Sequence, residues 1–484
     1  MESIRIFTIL VCVLGFFSLE LVATANVSIE EWRKRTIYQV LTDRFNNLNG
    51  GWCTDLSQYC GGTYDGIISR IDYLQDLGVD ALWISPVIDQ AEDSSYGYHG
   101  YWAGDWYDIN WHFGGDDGLK RLVTACHSAD ILVMVDVVAN HSGNCNGGRY
   151  DYSCVSPFSD SSSYHSDDCD IEDWSNQYEV EHCRLSGLPD LNQENESVQD
   201  ELYNWINWIV SEYDFDGVRI DTVPEVRADF WDGYVSSSGV SFLIGEVFNG
   251  DPAYVGPYQD HVPSVFNYPM YYTIRDVYGG GSSCWNINSR RSQIYENFAD
   301  PSLLGLFASN HDNPRFLHDY DDPQRLRNAM VYVLAGEGVP VVYYGDEQEF
   351  AGGSDPYCRE CLWPSGFDTS GDVFTTISLL AHARQKNYDN WVLSDFVERY
   401  VLDNLYVFSR GDVLFATTNV GDNSGTEHFV IDNSPFTAGE SICDVFYPST
   451  DCFDVNSDGT VDIWLLNGEP KVYVRESDVN NFLG

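Results

Sequence analysis

The stretch DGVRIDTVPE, residues 216–225, carries the pattern from which the fold can be read. After the opening Asp-Gly turn pair, Val218 and Ile220 are apolar at alternate positions, which is typical of a short buried strand. Arg219 and Asp221 alternate with them, so both side chains point to one side of the strand. A guanidinium beside a carboxylate favours the ionised acid, which a nucleophile requires. From this spacing alone, a structural ion pair is the simpler interpretation.

Similar short runs recur along the chain and alternate with helix-length segments, the pattern of a parallel sheet with crossover helices. Eight such runs in about 350 residues predict an α/β fold built on a closed (β/α)8 barrel, or TIM barrel, with its active site at the C-terminal strand ends. The predicted strands are 37–41, 81–84, 132–137, 217–220, 242–245, 265–267, 304–307 and 339–343.

Two regions depart from this alternation. After the third strand, about fifty residues rich in Ser, Asp, Gly and Cys precede the helical pattern at 198–213, which is too long for a βα loop and predicts an inserted subdomain. Near residue 390 the helical periodicity stops, and alternating strands predict a C-terminal antiparallel β-sandwich. We therefore assign 26–140 and 196–390 to the barrel, 141–195 to the subdomain and 391–484 to the sandwich.

The first 25 residues have the features of a signal peptide. Arg5 precedes an apolar run at 6–17, and Ala23, Thr24 and Ala25 form a small-x-small cleavage site. Cleavage after Ala25 predicts a secreted protein, either extracellular or in the lumen of a digestive compartment. No later stretch approaches the roughly 18 apolar residues that a membrane span needs, so we expect no membrane partner.

Twelve of the thirteen cysteines follow that cleavage site, and an even number in an exported chain indicates a disulfide framework. We interpret the C-x-x-C of Cys358 and Cys361 as a loop staple. Cys126, in a helical pattern, is expected to be a buried free thiol, which leaves Cys284 without an obvious partner. Spacing favours four local pairs, Cys53 with Cys60, Cys145 with Cys154, Cys169 with Cys183, and Cys443 with Cys452.

The chain is strongly acidic. Its 75 acidic and 25 basic residues give a formal charge of −50, which repels nucleic acids and anionic membranes. We therefore expect no nucleic-acid partner, and a neutral or cationic ligand, including a metal ion, fits better. A solubilising surface explains most of this acidity.

Polar motifs follow four of the predicted strands. They are DVVANH (136–141), RIDTV (219–223), GEVF (245–248) and SNHDN (309–313). Because the C-terminal ends of barrel strands meet on one face, we expect three carboxylates and several basic groups to converge there. These residues are Asp221, Glu246, Asp312, His141, His311 and Arg219.

With these motifs in order, the chain resembles the α-amylase family of glycoside hydrolases, most closely its secreted fungal-type members. The resemblance covers essentially the whole mature chain. It implies retaining endo-hydrolysis of α-1,4-glucosidic bonds in starch, glycogen and maltooligosaccharides, by a protein that we expect to be a monomer. The motifs that carry it are IYQVLTDRF (37–45), GYHGYW (97–102), LPDL (188–191), GDPAY (250–254) and NHDNPRF (310–316), together with the C-terminal sheet.

The resemblance also implies a role for each site residue. Asp221 would be the nucleophile and Glu246 the acid and base, while Asp312 would hold distorted sugar hydroxyls in the transition state. Crowded carboxylates raise at least one pKa, which suits Glu246 to donate a proton. The residues implied to bind the sugar at the cleavage point, with Tyr101 stacking on its ring, are His99, Tyr101, Trp102, His141, Arg219, His311, Asp355 and Arg359.

A calcium site is implied between the subdomain and the barrel, since Ca²⁺ prefers hard oxygen ligands. Asn140 also opens an N-x-S sequon, and we expect it to be a ligand rather than a glycan site. Asn26 and Asn195 are candidate glycan sites. The implied Ca²⁺ ligands are side-chain oxygens of Asn140, Glu181 and Asp190 and the backbone carbonyl of Glu225.

A second candidate for calcium is DVNSDGTVD, residues 454–462, which has several oxygen ligands at EF-hand spacing. Position twelve of that loop would be Leu465, where the EF-hand needs a bidentate Glu, and the flanking segments are predicted strands. We therefore interpret it as a hairpin turn.

The chain departs from the fungal-type pattern at two places. Pro224 and Glu225 stand where relatives carry Lys-His on the leaving-group side of the cleft, and Gly256 replaces the first cysteine of a family disulfide. An exo-acting α-glucosidase or a transglycosylase is the nearest alternative function. A non-catalytic glycan-binding protein is a more distant one, and the presence of all three carboxylates argues against it.

Overall fold

A computed structural model describes residues 27–91, 96–145 and 148–483. The predicted signal peptide and the candidate glycan site Asn26 lie outside these residues. Within the described ranges, no helix combines the length and apolar character needed to cross a membrane.

Eight parallel strands of the described chain form a barrel. They are β1 (Ile37–Val40), β2 (Ala81–Ile84), β3 (Leu132–Val137), β4 (Gly217–Ile220), β5 (Phe242–Gly245), β6 (Ser264–Val265), β7 (Gly305–Leu306) and β8 (Val339–Tyr343). Their order is β6-β5-β4-β3-β2-β1-β8-β7, and a parallel bridge between Phe266 and Gly305 joins the two ends. The predicted barrel is therefore confirmed, although β6 and β7 are each only two residues long.

The strand alternation divides the barrel residues between two cores. Val218 and Ile220 of β4 pack outward into the large cluster shared with the helices, whereas Trp83, Met134 and Ile244 belong to a separate inner cluster. Arg219 lies between its apolar neighbours on the inner side, with its guanidinium carbon 5.3 Å from the Trp83 ring centroid. The period of two in residues 216–225 thus sends the charged groups to the barrel interior.

Helices cover the outside of the barrel. The longest helix of the described residues, Glu196–Tyr213, begins two residues before the predicted start, because the Asn195 side chain accepts a hydrogen bond from Ser197 N and caps it. In chain order the helices are α1 (Ile29–Lys34), α2 (Thr42–Phe45), α3 (Tyr64–Ile68), α4 (Ile71–Leu77), α5 (Gly115–Ser128), α6 (Gln177–His182), α7 (Glu196–Tyr213), α8 (Phe230–Ser238), α9 (Pro252–Val255), α10 (Tyr268–Ile274), α11 (Trp285–Asn297), α12 (Phe316–Tyr320), α13 (Pro323–Ala335), α14 (Asp372–Lys386) and α15 (Val479–Leu483).

The segment between β3 and α7 contains α6 and little other regular structure. Its backbone is attached to the barrel end by an antiparallel bridge between His141 and Asp190. Stacked rings of Tyr152 and Tyr164, 3.9 Å between centroids, belong to the large core cluster that the segment shares with the barrel and its helices. Two of the predicted disulfides, Cys145–Cys154 and Cys169–Cys183, close its loops.

The C-terminal strands form two antiparallel sheets. They are β9 (Phe396–Val401), β10 (Leu405–Arg410), β11 (Val413–Thr418), β12 (Thr426–Ile431), β13 (Ser441–Asp444), β14 (Cys452–Asp454), β15 (Val461–Leu466) and β16 (Lys471–Arg475). A six-stranded sheet, β14-β13-β16-β11-β10-β9, packs against the pair β12-β15. One core joins them, with Val407 and Leu414 from the larger sheet and Ile463 and Leu465 from the smaller. The predicted sandwich is confirmed.

The segment 454–462 is a turn, but the predicted hairpin is wrong. Its flanking strands β14 and β15 lie in different sheets, where they pair with β13 and β12. Within the turn, Gly459 N donates to Asn456 O at 2.8 Å, and the Asp458 carboxylate accepts from Thr460 N at 3.1 Å. The acidic side chain is therefore used to shape a loop that crosses between the sheets.

All four local disulfides predicted from spacing are present. The predicted staple between Cys358 and Cys361 is wrong, since both are buried free thiols. Cys358 Sγ lies 3.2 Å from His311 O, and Cys361 Sγ lies within 4.8 Å of the two sulfurs of Cys53–Cys60. Cys126 is a buried free thiol as predicted, and so is Cys284.

Candidate active site

Arg219 is the charge at the centre of the site, and its side chain is 1% exposed. Nη1 donates to Asp221 Oδ1 at 2.7 Å and to Asp136 Oδ1 at 2.8 Å. Nη2 lies 2.8 Å from Glu246 Oε2. One guanidinium therefore holds carboxylates from the ends of β3, β4 and β5 together.

The residue after Asp221 has an unusual backbone. Thr222 adopts φ 49°, a left-handed conformation that is costly for a β-branched residue. In this position its hydroxyl donates to Asp221 Oδ2 at 3.1 Å, and its N–H lies 3.4 Å from Glu246 Oε2. The strained turn therefore orients both carboxylates at the end of β4.

Glu246 is a buried acid at the end of β5. Tyr268 donates its hydroxyl to Glu246 Oε1 at 3.1 Å. Burial raises the pKa of Glu246 well above its usual range, and the charges of Asp221 and Asp312 add to this effect against the opposing Arg219. A carboxyl with a raised pKa can hold a proton near neutral pH and release it to a leaving group.

The loop after β7 brings Asp312 and His311 to the same place. Asp312 Oδ1 accepts from Arg359 Nη2 at 3.2 Å, and His311 Nδ1 lies 2.6 Å from Gln39 Nε2. Burial, aided by the charge of Arg359, lowers the pKa of His311 well below its usual value. The neutral ring accepts from Gln39, so its Nε2–H is available to Tyr101 OH, 2.8 Å away.

The loop after β2 contributes a 3₁₀ turn, Gly97–His99, and the aromatic residues that follow it. Tyr101 N donates to His99 Nδ1 at 3.0 Å, and the rings of His99 and Trp102 meet edge to face at 4.6 Å. Burial lowers the pKa of His99 well below its usual value. His141, from the loop after β3, places Nε2 3.2 Å from Tyr101 O.

These side chains line one cleft of about 740 Å³ at the C-terminal strand ends. Of the residues predicted to act on or bind substrate, Arg219 alone does not line this cleft, because it lies beneath the carboxylates that it pairs. The other ten are Asp221, Glu246, Asp312, His99, Tyr101, Trp102, His141, His311, Asp355 and Arg359.

Three of the four predicted calcium ligands converge beside this cleft. One terminal atom of the Asn140 side-chain amide lies 3.0 Å from Glu225 O and 3.1 Å from Asp190 Oδ1. This atom can be assigned as the amide oxygen or as the amide nitrogen. With the amide oxygen in that position, three oxygens meet at distances that only a cation makes favourable. With the amide nitrogen there, the same atoms form two hydrogen bonds. The first orientation gives a compact set of three hard oxygens, which fits Ca²⁺.

Glu181 is not bonded to this set. The amide of Gln177 donates to Glu181 Oε1 and to Pro224 O, both at 2.9 Å. The structure therefore places Glu181 next to the chain segment that presents Glu225 O.

Comparisons with known proteins agree on one family. Residues 39–368 match the family model described as alpha amylase, catalytic domain. An α-amylase of Saccharomycopsis fibuligera is 37% identical over 93% of both chains. The solved structure of an α-amylase from Malbranchea cinnamomea is 36% identical, with a TM-score of 0.89 over 95% of this chain and 99% of that one.

The chain belongs to the α-amylase family. A more distant solved member of the family, from Geobacillus thermoleovorans, was determined in complex with acarbose. It is 29% identical, with a TM-score of 0.80 over 91% of this chain and 98% of that one. Fold and overall length are therefore shared with enzymes named α-amylases.

Sequence reasoning missed two residues that complete this α-amylase-family site. Asp136, buried at the end of β3, accepts from Tyr101 OH at 2.7 Å and from Trp83 Nε1 at 3.1 Å as well as from Arg219. Tyr268 links Glu246 to Asn310, whose Nδ2 donates to its hydroxyl at 2.9 Å. The single acid in the apolar run LVMVDV was a usable signal for Asp136, whereas nothing in the sequence pointed to Tyr268.

Proposed function

We propose that this protein is a secreted, retaining endo-hydrolase of α-1,4-glucosidic bonds in starch, glycogen and maltooligosaccharides. The observation that carries the proposal is the pairing of Asp221 and Glu246 with neighbouring nitrogens of one buried guanidinium, in a cleft that also contains Asp312. Retaining glycosidases need two carboxyl groups that are close together, about 5–5.5 Å apart. Family membership supports the same reaction.

In the first step, Asp221 attacks the anomeric carbon while Glu246 gives its proton to the departing oxygen. Arg219 Nη1 donates to Asp221 Oδ1 at 2.7 Å and orients this carboxylate, and burial raises the pKa of Glu246, which lets it carry a proton. In the second step, Glu246 removes a proton from water, and the resulting hydroxide displaces Asp221 from the sugar. The anomeric configuration is therefore retained.

The other cleft residues hold the sugar in position. Asp312, anchored by Arg359, accepts hydrogen bonds from sugar hydroxyls, and these bonds strengthen as the ring flattens. Burial keeps His99 neutral, and because its Nδ1 accepts from Tyr101 N, its Nε2–H can donate to one sugar hydroxyl without a charge. His311, which burial also keeps neutral, uses its two nitrogens for Gln39 and Tyr101 and so positions the Tyr101 ring. The Tyr101 ring supplies a stacking surface.

Endo-action is supported by the extent of the cleft around the carboxylates. Tyr96 and Asp355 line one part of it, and Trp174, Val180 and Tyr254 line another, so the lining continues from the barrel loops onto the inserted subdomain. A site for one terminal glucose needs no such extension. The proposed substrate is therefore a chain that enters and leaves the cleft.

We also propose that Ca²⁺ joins the subdomain to the barrel through Asn140, Asp190 and the carbonyl of Glu225, with Glu181 contributing from the edge. When bound, the ion supplies a positive charge that neutralises buried oxygens and cross-links three chain segments. Asp190 supports this role, because burial raises its pKa to about 7 and an ion would favour its charged form. Four disulfides in the described chain support secretion.

The test uses soluble starch and a maltooligosaccharide blocked at its non-reducing end, with a chelator-treated sample beside each. A ladder of short oligosaccharides from starch and cleavage of the blocked substrate are expected. Release of glucose alone, with the blocked substrate intact, would show an exo-acting enzyme. Binding of starch without any product would show a glycan-binding protein.

A further inference from the structure

Two histidines and a carboxylate form a cluster in the segment between β3 and α7, separate from the catalytic carboxylates. They are His165, His182 and Glu194, and one ligand atom from each lies within 4.8 Å of the others. The His165 side chain is 8% exposed, that of His182 21% and that of Glu194 38%. The cluster is thus partly buried, with Glu194 open to solvent.

The two imidazole rings use their nitrogens in the same way, with Nδ1 bonded to a protein oxygen and Nε2 facing Glu194. His165 Nδ1 bonds Asp190 Oδ2 at 2.6 Å, and His182 Nδ1 bonds Tyr178 O at 2.9 Å. Each Nδ1 therefore carries a proton, and each Nε2 faces Glu194, at 2.7 Å for His165 and 4.0 Å for His182. Histidines that bind a metal through one nitrogen usually donate the other N–H to a carboxylate or a backbone carbonyl.

We propose that His165 Nε2, His182 Nε2 and the Glu194 carboxylate bind a divalent transition metal, with Zn²⁺ the best-fitting ion. Two imidazoles and one carboxylate suit zinc, whereas calcium prefers oxygen ligands alone. Zinc distances of about 2.0–2.2 Å place tetrahedral ligand atoms about 3.3 Å apart, so small side-chain rotations complete the site. Water takes the fourth position on the exposed side of Glu194.

The competing arrangement needs no metal. His165 as an imidazolium would bridge Asp190 and Glu194, and these carboxylates, acting against burial, raise the pKa of His165 to about 9. That arrangement leaves His182 only a packing role, because its ring stacks on Tyr178 at 4.1 Å while its Nε2 is 4.0 Å from Glu194 Oε1. A metal ion requires His182 as a ligand. His182 is therefore the residue that separates the two interpretations.

The proposed zinc site shares a residue with the proposed calcium site. Asp190 bonds His165 through Oδ2, and its Oδ1 lies 3.1 Å from the Asn140 amide. A metal on His165 would fix the orientation of the Asp190 carboxylate through this hydrogen bond. The two ions would therefore support each other without sharing a ligand atom.

The experiment titrates Zn²⁺ into the calcium-loaded protein by calorimetry and counts bound metal by elemental analysis. The variants are His182→Ala and the isosteric Glu194→Gln. The matched control is His261→Ala, which removes a surface histidine that pairs with one carboxylate, Asp232, at 3.0 Å. We expect one Zn²⁺ per chain in the parent and in the control, and at least about tenfold weaker binding in both cluster variants.

Two further measurements accompany the titration, one of folding and one of the geometry of the metal site. Circular dichroism checks each variant, and Glu194→Gln carries the test if His182→Ala does not fold. Co²⁺ in place of Zn²⁺ should give the intense visible absorption of a tetrahedral site in the parent and not in the cluster variants. Absence of Zn²⁺ binding by the parent, Zn²⁺ affinity in the cluster variants equal to that of the parent, or displacement of Zn²⁺ by an equal concentration of Ca²⁺ would overturn the proposal.

Discussion

Two parts of the same cleft differ in whether their polar groups are hydrogen-bonded to neighbouring residues. The linked part, formed by Tyr98, His99, Tyr101, Asp355 and Arg359, is joined by hydrogen bonds and ion pairs: Arg359 alone reaches Tyr98 OH at 3.2 Å, Asp355 at 3.0 Å and Asp312 at 3.2 Å. The apolar part is formed by Val180, Leu188, Pro224, Glu225 and Phe248. In it, the buried Glu225 Oε2 has no hydrogen-bond partner among the described residues.

The difference indicates which part of the cleft has groups already held in place for sugar binding, and in which part substitutions can change the affinity. Groups that are already held by neighbours lose little entropy when a sugar binds, so the linked part suits the sugar that is cleaved. The apolar part offers surface and one unpaired carboxyl, whose pKa is raised to about 8 by burial and by the charges of Asp221 and Asp190. Leaving-side binding should therefore be weak and easy to alter.

The largest effect is expected at Glu246, the proposed proton donor, which lines the same cleft. Glu246→Gln keeps the shape of the side chain but cannot give a proton to the leaving oxygen, so kcat should fall at least about 100-fold. Oligosaccharide affinity and Tm should stay near the parent values, because neither part of the cleft is altered. Steady-state kinetics on soluble starch and calorimetric binding of maltooligosaccharide measure these quantities. Turnover near the parent rate would remove Glu246 from the proton-transfer role.

Calcium removal should affect the apolar part, since Glu225 presents its side chain to the cleft and its carbonyl to the proposed ion. A ligand at a hundred times its Kd stabilises the folded state by about 2.7 kcal/mol, and chelation should lower Tm and activity together. Differential scanning calorimetry with elemental analysis follows both. Restoration by Ca²⁺ and not by Zn²⁺ would assign the effect to Asn140 and Asp190. An unchanged Tm after loss of bound calcium would show that the ion does not hold the subdomain.

The sequence predicted the barrel and the convergence of its polar motifs because both follow from patterns that repeat over a few residues, such as the alternation of apolar and polar side chains along a strand. The alternation at 217–220 sets which face Arg219 occupies, and parallel strands carry their C-terminal ends to one rim. The sandwich followed for the same reason. Local disulfides followed from short loops, such as Cys443–Cys452 across paired strands.

The features that sequence reasoning missed or misassigned depend on contacts between distant segments. Tyr268 reaches Glu246 from the first position of α10, and no spacing encodes that approach. Cys358 and Cys361 are close in sequence, but their thiols face the His311 carbonyl and the Cys53–Cys60 pair. The 454–462 turn has hairpin chemistry, yet its strands belong to two sheets. Each case was decided by tertiary packing.

The variant Asp136→Asn tests whether catalysis depends on the buried charges of Asp136 and Arg219. Asp136→Asn removes an anionic partner of Arg219, and a hydrogen bond to a charged group contributes about 1.5–3 kcal/mol, so kcat/KM should fall at least about tenfold. With less neutralisation, Arg219 should lower the pKa of Glu246. Because Glu246 must be protonated, activity is lost as pH rises through its pKa, and this alkaline limb should move to lower pH.

The matched control for that variant is Asp346→Asn. Asp346 is equally buried, pairs with Arg315 at 3.3 Å, and burial raises its pKa to about 7, the value also found for Asp136. It does not line the cleft. Both variants should lower Tm, and the shift of the pH–rate profile should appear in Asp136→Asn alone. A shift of equal size in both variants would mean that general destabilisation moves the profile.

The smallest effect is expected from giving the apolar part the donors that it lacks. Pro224 has no side-chain donor and the Glu225 carboxyl offers at most one, whereas a Lys-His pair presents several. In a solvated cleft, one added hydrogen bond contributes about 1 kcal/mol, which corresponds to about fivefold in affinity. The double variant Pro224→Lys with Glu225→His should therefore lower KM for longer maltooligosaccharides. It should also raise the ratio of transfer to hydrolysis products from concentrated maltotriose, because a better-held acceptor competes with water for the covalent intermediate.

The single variant Glu225→Gln, which adds a donor without the length of lysine, should give a smaller change in the same direction. If both variants keep the parent ratio and the parent KM, Phe248, Tyr254 and the subdomain residues set the leaving side of the cleft.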